Sequence, residues 1–280
     1  MRVRRRVLFL CVAILVFTAI VTPVLAANVG DTSARYGSTG PYITRYYHYF
    51  LDGRPGTLPF ALSTKVYEEY LGKKPRENTD NASYFLSYLN DPDQELYFET
   101  LADEIRAETA DPDDQARIAI SLVQHIPYQR GSPYRYPYEV LYEGCGVCQE
   151  KSILLAALLR ELGFKSSVMY FVRENHMAVG ISCPDHFDFQ ESGYCMVEAT
   201  NVVIITDDTS YEISGEGWSV PEVYPTSDGR SLESVSREYN DARTWIDLQA
   251  KSKIARESGT ILSTDDSLNW YRLQAKYDLN

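Results

Sequence analysis

The chain predicts an α+β fold, and two patterns predict it. Residues 148–162 are apolar over most of the helical circumference and are stopped by Gly163, which marks a helix buried on nearly every side. Strand-like runs then follow in close succession at 165–173, 176–183, 194–198 and 202–206, while the other helical periodicity lies upstream or at the C-terminus. Helices and strands grouped in this way, rather than alternating, argue for α+β and against a doubly wound sheet.

The elements can be justified in order. Arg2, Arg4, Arg5 and Arg6 precede an apolar run from Val7 to Val21 and a small-residue exit ending at Ala27. Residues 1–27 therefore read as a secretory signal peptide or a retained membrane anchor, with a possible tether through residues 7–27. Either places the remainder outside the cytoplasm, extracellular or at the cell surface, with the arginines inside. Residues 28–92 form an N-terminal extension rich in tyrosine, glycine and turn formers. In it Tyr46–Phe50 is a strand or packed turn, Asp52-Gly53 and Arg54-Pro55-Gly56 are turn signals, and Ser63 caps a short helix to Leu71. Asn81-Ala82-Ser83 fits a glycosylation acceptor.

The main domain is expected over 93–206. Leu96, Phe98, Leu101 and Ile105 give a helix over 93–109, and Asp111-Pro112-Asp113 caps a second one that ends near His125. A Pro- and Tyr-rich loop, 128–138, leads through Glu139-Val140-Leu141 to a glycine–cysteine turn and the apolar helix. Residues 207–280 form a C-terminal extension with helices over 231–255 and 267–277. There is no internal repeat.

The formal charge is −12, from 39 acidic and 27 basic side chains. Without residues 1–27, which hold four of the arginines and no acid, it is more negative still. That argues against nucleic acid and an anionic membrane surface as partners, and the acidity reads as a solubility feature. Of five cysteines, Cys11 lies in the leader. In an exported chain the other four suggest disulfides, and Cys183 and Cys195 flank a polar loop between two strands that a bridge would staple. Cys145 is then left beside Cys148.

Cys148 opens the apolar helix, His176 opens a strand-like segment, and Glu198 closes another. A thiol attacks carbonyl carbon as thiolate, a form that a helix N-terminus or a nearby imidazolium favours. Cys148 meets the first condition by position and His176 could meet the second. Glu198 could hold the imidazole in its tautomer, and the Cys148 backbone N–H could face an oxyanion. Glu150 is a complication, because a carboxylate two residues away opposes a thiolate unless it pairs elsewhere.

Plainer roles compete. Cys148 could be a structural thiol or half of a Cys145–Cys148 bridge, His176 a satisfied core histidine, and Glu198 an ion-paired carboxylate. Cys145-x-x-Cys148 could also anchor a zinc or redox site. Zinc would need Cys183 and Cys195 or His176 nearby, and a redox pair would want a thioredoxin-like strand before it. His48, His125 and His186 read as structural or surface residues.

The run Gly146-Val147-Cys148-Gln149-Glu150-Lys151, continued by Leu154 to Gly163, resembles the cysteine motif of transglutaminase-like proteins. His176-Met177-Ala178-Val179 is similar to their histidine strand, Val197-Glu198-Ala199-Thr200 to their acidic strand, and Tyr138-Glu139-Val140-Leu141 to their lead-in. The resemblance spans roughly residues 95–205. It implies a papain-like core in which the cysteine-bearing central helix packs on an antiparallel sheet. It also implies a catalytic trio of Cys148, His176 and Glu198, with a second oxyanion donor upstream, for which Tyr128 and Gln129 are candidates. Glu198 departs from the family's usual aspartate. The expected function is an exported cysteine enzyme acting on peptide or protein amide bonds, by hydrolysis rather than cross-linking, with no metal or organic cofactor. The alternative is a catalytically inactive module that binds peptides or cell-envelope partners.

Overall fold

The computed structural model describes residues 41–73, 81–130, 134–209 and 217–279, so the leader over 1–27 lies outside the described residues. Tyr42–Leu51 (β1) and Arg54–Ser63 (β2) form an antiparallel hairpin around Asp52-Gly53. Arg54-Pro55-Gly56 is not a turn but the first part of β2. Gly56 sits opposite Tyr49, and a Cβ there would run into the Tyr49 ring. Thr64–Leu71 (α1) begins as expected at Ser63, whose hydroxyl accepts from Val66 N.

Asn81–Leu89 (α2) is a helix that the sequence did not announce, and side chains are described in it from Tyr84 onward. Glu95–Glu108 (α3) and Pro112–Gln124 (α4) follow the predicted periodicity, with Asp111 accepting from Asp113 N and Asp114 N. The tyrosine-rich loop gives way to a short helix, Pro137–Glu143 (α5), which ends at Gly144 in the left-handed region, φ 71°. The apolar run is Cys148–Glu161 (α6). Leu154 through Leu159 are fully buried, and the helix touches α2, α3, α4, α5 and the sheet.

Ser166–Phe171 (β3), His176–Ser182 (β4) and Tyr194–Val197 (β5) are antiparallel neighbours. The expected strand at 202–206 does not form. Instead Glu222–Ser227 (β6) joins the far edge, giving the order β5-β4-β3-β6. The 202–206 segment is held differently. Gln124 Nε2 donates to Val203 O at 3.0 Å, and Ile204 packs with Trp245, Leu248 and Leu273 of Ser236–Ser258 (α7) and Thr264–Tyr277 (α8). Its apolar residues therefore bury against helices rather than against a neighbouring strand.

Cys183 and Cys195 form the expected disulfide, with Cα atoms 5.7 Å apart, across the β4–β5 excursion. The described residues belong to one compact unit, Ser38–Asn280.

Candidate active site

The glycine–cysteine turn is built to bring the helix terminus close to its neighbours. Gly144 reverses the chain after α5. Gly146 lies so close to Val140, Lys151 and the Glu150 carboxylate, 3.2–3.3 Å from an added Cβ, that a side chain would displace them. Gly146 also bridges in parallel to Tyr128, donating from its N–H to Pro127 O (3.1 Å) and accepting from Gln129 N (3.0 Å). Cys148, two residues on, is the first residue of α6 and keeps 8 % of its surface exposed.

β4 and β5 bring the other two members together. The ladder ends at the pair Val179–Val197, and Glu198 follows it directly, so its carboxylate lies within reach of His176 at the start of β4. His176 Nε2 and Glu198 Oε2 are 2.7 Å apart, and the ring also hydrogen-bonds the Cys148 thiol. With Nε2 engaged by the carboxylate, Nδ1 is the nitrogen left for the sulfur. Glu198 Oε1 accepts from Thr200 N (2.7 Å) and Thr200 Oγ1 (2.5 Å). The longer glutamate is thus fixed by a cradle on its second oxygen.

Burial by itself pushes the His176 imidazole down, but the hydrogen bonds and charges of Cys148 and Glu198 raise it from 6.5 to about 9. Burial pushes the Glu198 carboxyl up, yet its bonds to His176 and Thr200 hold it below the ordinary range. The arrangement is a buried imidazolium between a carboxylate and the Cys148 sulfur, able to return a proton to a leaving group.

Glu150, which the sequence set against the thiolate, is paired elsewhere. Its Oε2 accepts from Val147 N (2.9 Å) and Arg135 Nη1 (3.1 Å), and its Oε1 from Arg135 N (2.8 Å). The same Arg135 binds Glu143 at 2.6 Å. Glu150 therefore caps the helix while an arginine balances its charge.

Sequence reasoning missed Lys151. Its side chain is fully buried one turn from Cys148, and Nζ donates to Gln124 O (3.3 Å), Ile126 O and Thr200 O (3.1 Å). Burial lowers its amine to about 8, against the pull of the Glu198 charge. Ser152 beside it donates to Met177 O at 3.0 Å. The face of α6 bearing Cys148, Lys151 and Ser152 is thereby tied to the chain on both sides of the His–Glu pair. The available signal was the one lysine in the first turn of a helix that is apolar over most of its circumference.

The remaining candidates are placed as follows. Cys145 and Cys148 are both free thiols, so no bridge joins them. Cys145 Sγ lies 4.0 Å from Glu143 Oε2. With Cys183 and Cys195 bonded to each other, neither can complete a zinc site with these thiols. Among the described residues no cluster of His, Cys, Asp or Glu could hold a metal ion. Tyr128 and Gln129 are brought beside the glycine–cysteine turn by the bridge to Gly146, and both are exposed.

The raised imidazole predicts a pH-dependent stability. Between pH 6.5 and 9 the native state holds the His176 proton more tightly than the unfolded chain does. The stabilisation is therefore complete below 6.5 and is lost as pH rises through 9. Lys151 acts in the opposite sense from about pH 8 upward, so the informative window is 6.5 to 8. The urea midpoint of the wild type should fall across that window, and His176→Gln should flatten the slope. Equal slopes in both proteins would count against the charged pair.

Residues 99–221 match the model of the transglutaminase-like superfamily. The chain carries a transglutaminase-like domain, with the cysteine helix, the histidine strand and the acidic residue in the order that the motifs implied. Two solved structures are similar. One is a candidate cysteine protease from Cytophaga hutchinsonii, at 17 % identity and TM-score 0.29, covering 53 % of this chain and 51 % of that one. The other is calcium-bound LapG from Legionella pneumophila, at 12 % identity and TM-score 0.31, covering 60 % of this chain and 99 % of that one. The matched region thus spans about half the length of the Cytophaga protein. No curated protein matches the chain.

Proposed function

We propose that this protein is an exported cysteine enzyme that cleaves amide bonds in peptides or proteins. Cys148 is the nucleophile, His176 the base and then the acid, and Glu198 the orienter. The observation that carries the reading is the buried chain of hydrogen bonds from the Cys148 thiol through the His176 ring to Glu198. In the reacting pair the proton sits on the His176 ring, and the Cys148 sulfur it has left bonds to the carbonyl carbon. Collapse of the adduct breaks the C–N bond, and the imidazolium protonates the departing amine. Water, deprotonated by the now neutral ring, then cleaves the thioester.

The Cys148 N–H, at the first position of the helix and so without an intrahelical acceptor, is the backbone donor assigned to the oxyanion, with Gln129 or Tyr128 as a second donor. Hydrolysis is favoured over cross-linking because, among the described residues, no feature of the site selects an amine over water. The Cys183–Cys195 disulfide supports an oxidising compartment, in keeping with the leader read over 1–27.

The test is intact-protein mass spectrometry after incubation with a panel of peptide amides and peptide electrophiles. The expected result is one covalent adduct that maps to Cys148 and is lost in Cys148→Ser. With amide substrates it should turn over to free acid, with or without added amine. Modification at Cys145 alone, or none at all, would refute the assignment.

A further inference from the structure

Trp218 packs against the candidate site from a segment with no regular structure. Its ring lies 5.4 Å, centroid to centroid, from the His176 imidazole at a 38° tilt, and 4.4 Å from Phe171. A side chain on such a segment stays over its target only if the backbone is fixed, and three consecutive residues are fixed here. Arg173 Nη2 donates to Gly217 O, and Gln190 Nε2 donates to Trp218 O at 3.3 Å. Glu174 accepts from both donors of Ser219, on Oε1 from N (2.9 Å) and on Oε2 from Oγ (2.6 Å).

Glu174 is the unusual member. It sits in the tight turn between β3 and β4, where a carboxylate would ordinarily point into water, yet its side chain is only 7 % exposed. Its neighbour Arg173 is half exposed and pairs with it at 2.7 Å. A surface pair of that kind explains little order by itself. Two charge-assisted hydrogen bonds to one residue, aligned on both carboxylate oxygens, explain much more.

We propose that Glu174 is a positioning residue for the site: by clamping Ser219 it holds the Trp218 indole against His176, where the ring favours the imidazolium and keeps water from the His–Glu pair. A cation within about 6 Å of an indole is attracted to its face, and more so when both are desolvated. Burial pushes the Glu174 carboxyl up, but the bonds from Ser219 and Arg173 bring it down to about 2. The clamp therefore stays closed across the range in which His176 titrates. The other charged or titratable groups that bear on His176 are Cys148 from α6 and Glu198 beyond β5, with Lys151 acting on Glu198. None of these lies on the 217–219 segment. The catalytic meaning of the clamp rests on the proposed function, whereas the effect on the ring does not.

The experiment reads the ring directly. The His176 imidazole is followed by NMR against pH in the full chain, its resonance assigned by its loss in His176→Gln. Trp218→Leu should lower the titration midpoint by about half a pH unit or more. Glu174→Ala should lower it comparably, and the double variant should move no further than Trp218→Leu alone. Glu174→Gln, which keeps an acceptor for Ser219 but no charge, should restore most of the midpoint. If Glu174→Ala does not fold, Glu174→Gln with Ser219→Ala replaces it, and that pair of changes should lower the midpoint.

Additive shifts in the double variant would mean that Glu174 acts only through its charge, which overturns the clamp. So would an unshifted midpoint in folded Glu174→Ala. The alkylation rate of Cys148 is measured on the same samples. A wild-type Cys148 that does not react would end the enzymatic reading and leave the titration result standing.

Discussion

Replacing His176 with alanine is expected to slow alkylation of Cys148 by iodoacetamide at pH 7 by about tenfold, within a ceiling of roughly thirtyfold because an ordinary free thiol is already a few per cent ionised there. The reason is the partnership of the ring. It is held by Glu198 at 2.7 Å, its proton stays bound to about pH 9, and its remaining nitrogen faces the thiol. Without it, the Cys148 sulfur loses its adjacent cation and its hydrogen bond. Peptide mapping after timed quenching gives the rate at Cys148 separately from that at Cys145. A His176→Ala rate within a factor of two of wild type would show that the imidazole does not activate the sulfur. Glu198→Gln should fall between the two, because a neutral amide can still orient the ring but cannot match its charge.

The second large effect concerns stability. Lys151→Met should destabilise the protein by about 3 kcal/mol, read as a lower urea midpoint at unchanged slope. Two effects oppose each other. Methionine removes the cost of burying an ammonium, which taken alone is a gain. It also strips the donor from the carbonyls of Gln124, Ile126 and Thr200, and backbone oxygens cannot be mutated away. Each buried, unsatisfied carbonyl costs about 1–3 kcal/mol, so the loss of three donor contacts outweighs the desolvation gain. Alkylation of Cys148 should slow as well, because Thr200 is the residue that cradles Glu198. A variant as stable as wild type would show that water can replace the ammonium at these carbonyls.

Both predictions start from residues that the sequence displayed, yet only one role was readable there. Cys148, His176 and Glu198 could be picked out because their chemistry needs a fixed order on a helix and two strands. Local pattern placed each of them on its element: the apolar run, the strand-like alternation, the glycines before the cysteine. The disulfide was legible for the same reason, since Cys183 and Cys195 bracket one excursion between adjacent strands. Lys151 was not, because a lysine carries no mark of burial, and its partners lie 25–49 residues away along the chain.

The chain by itself determined the α+β class, the buried cysteine helix and the choice of Cys148, His176 and Glu198 as the candidate site. All of these follow from short-range periodicity and from the few residue types able to do thiol chemistry. Tertiary structure alone decided that Arg135 would neutralise Glu150 and that β6 rather than 202–206 would complete the sheet. It also decided that Trp218 would come to lie on His176. Those outcomes depend on which distant groups meet when the core closes. Burial strengthens every charge and every unsatisfied polar atom in it, so partners far apart in sequence settle what local pattern leaves open.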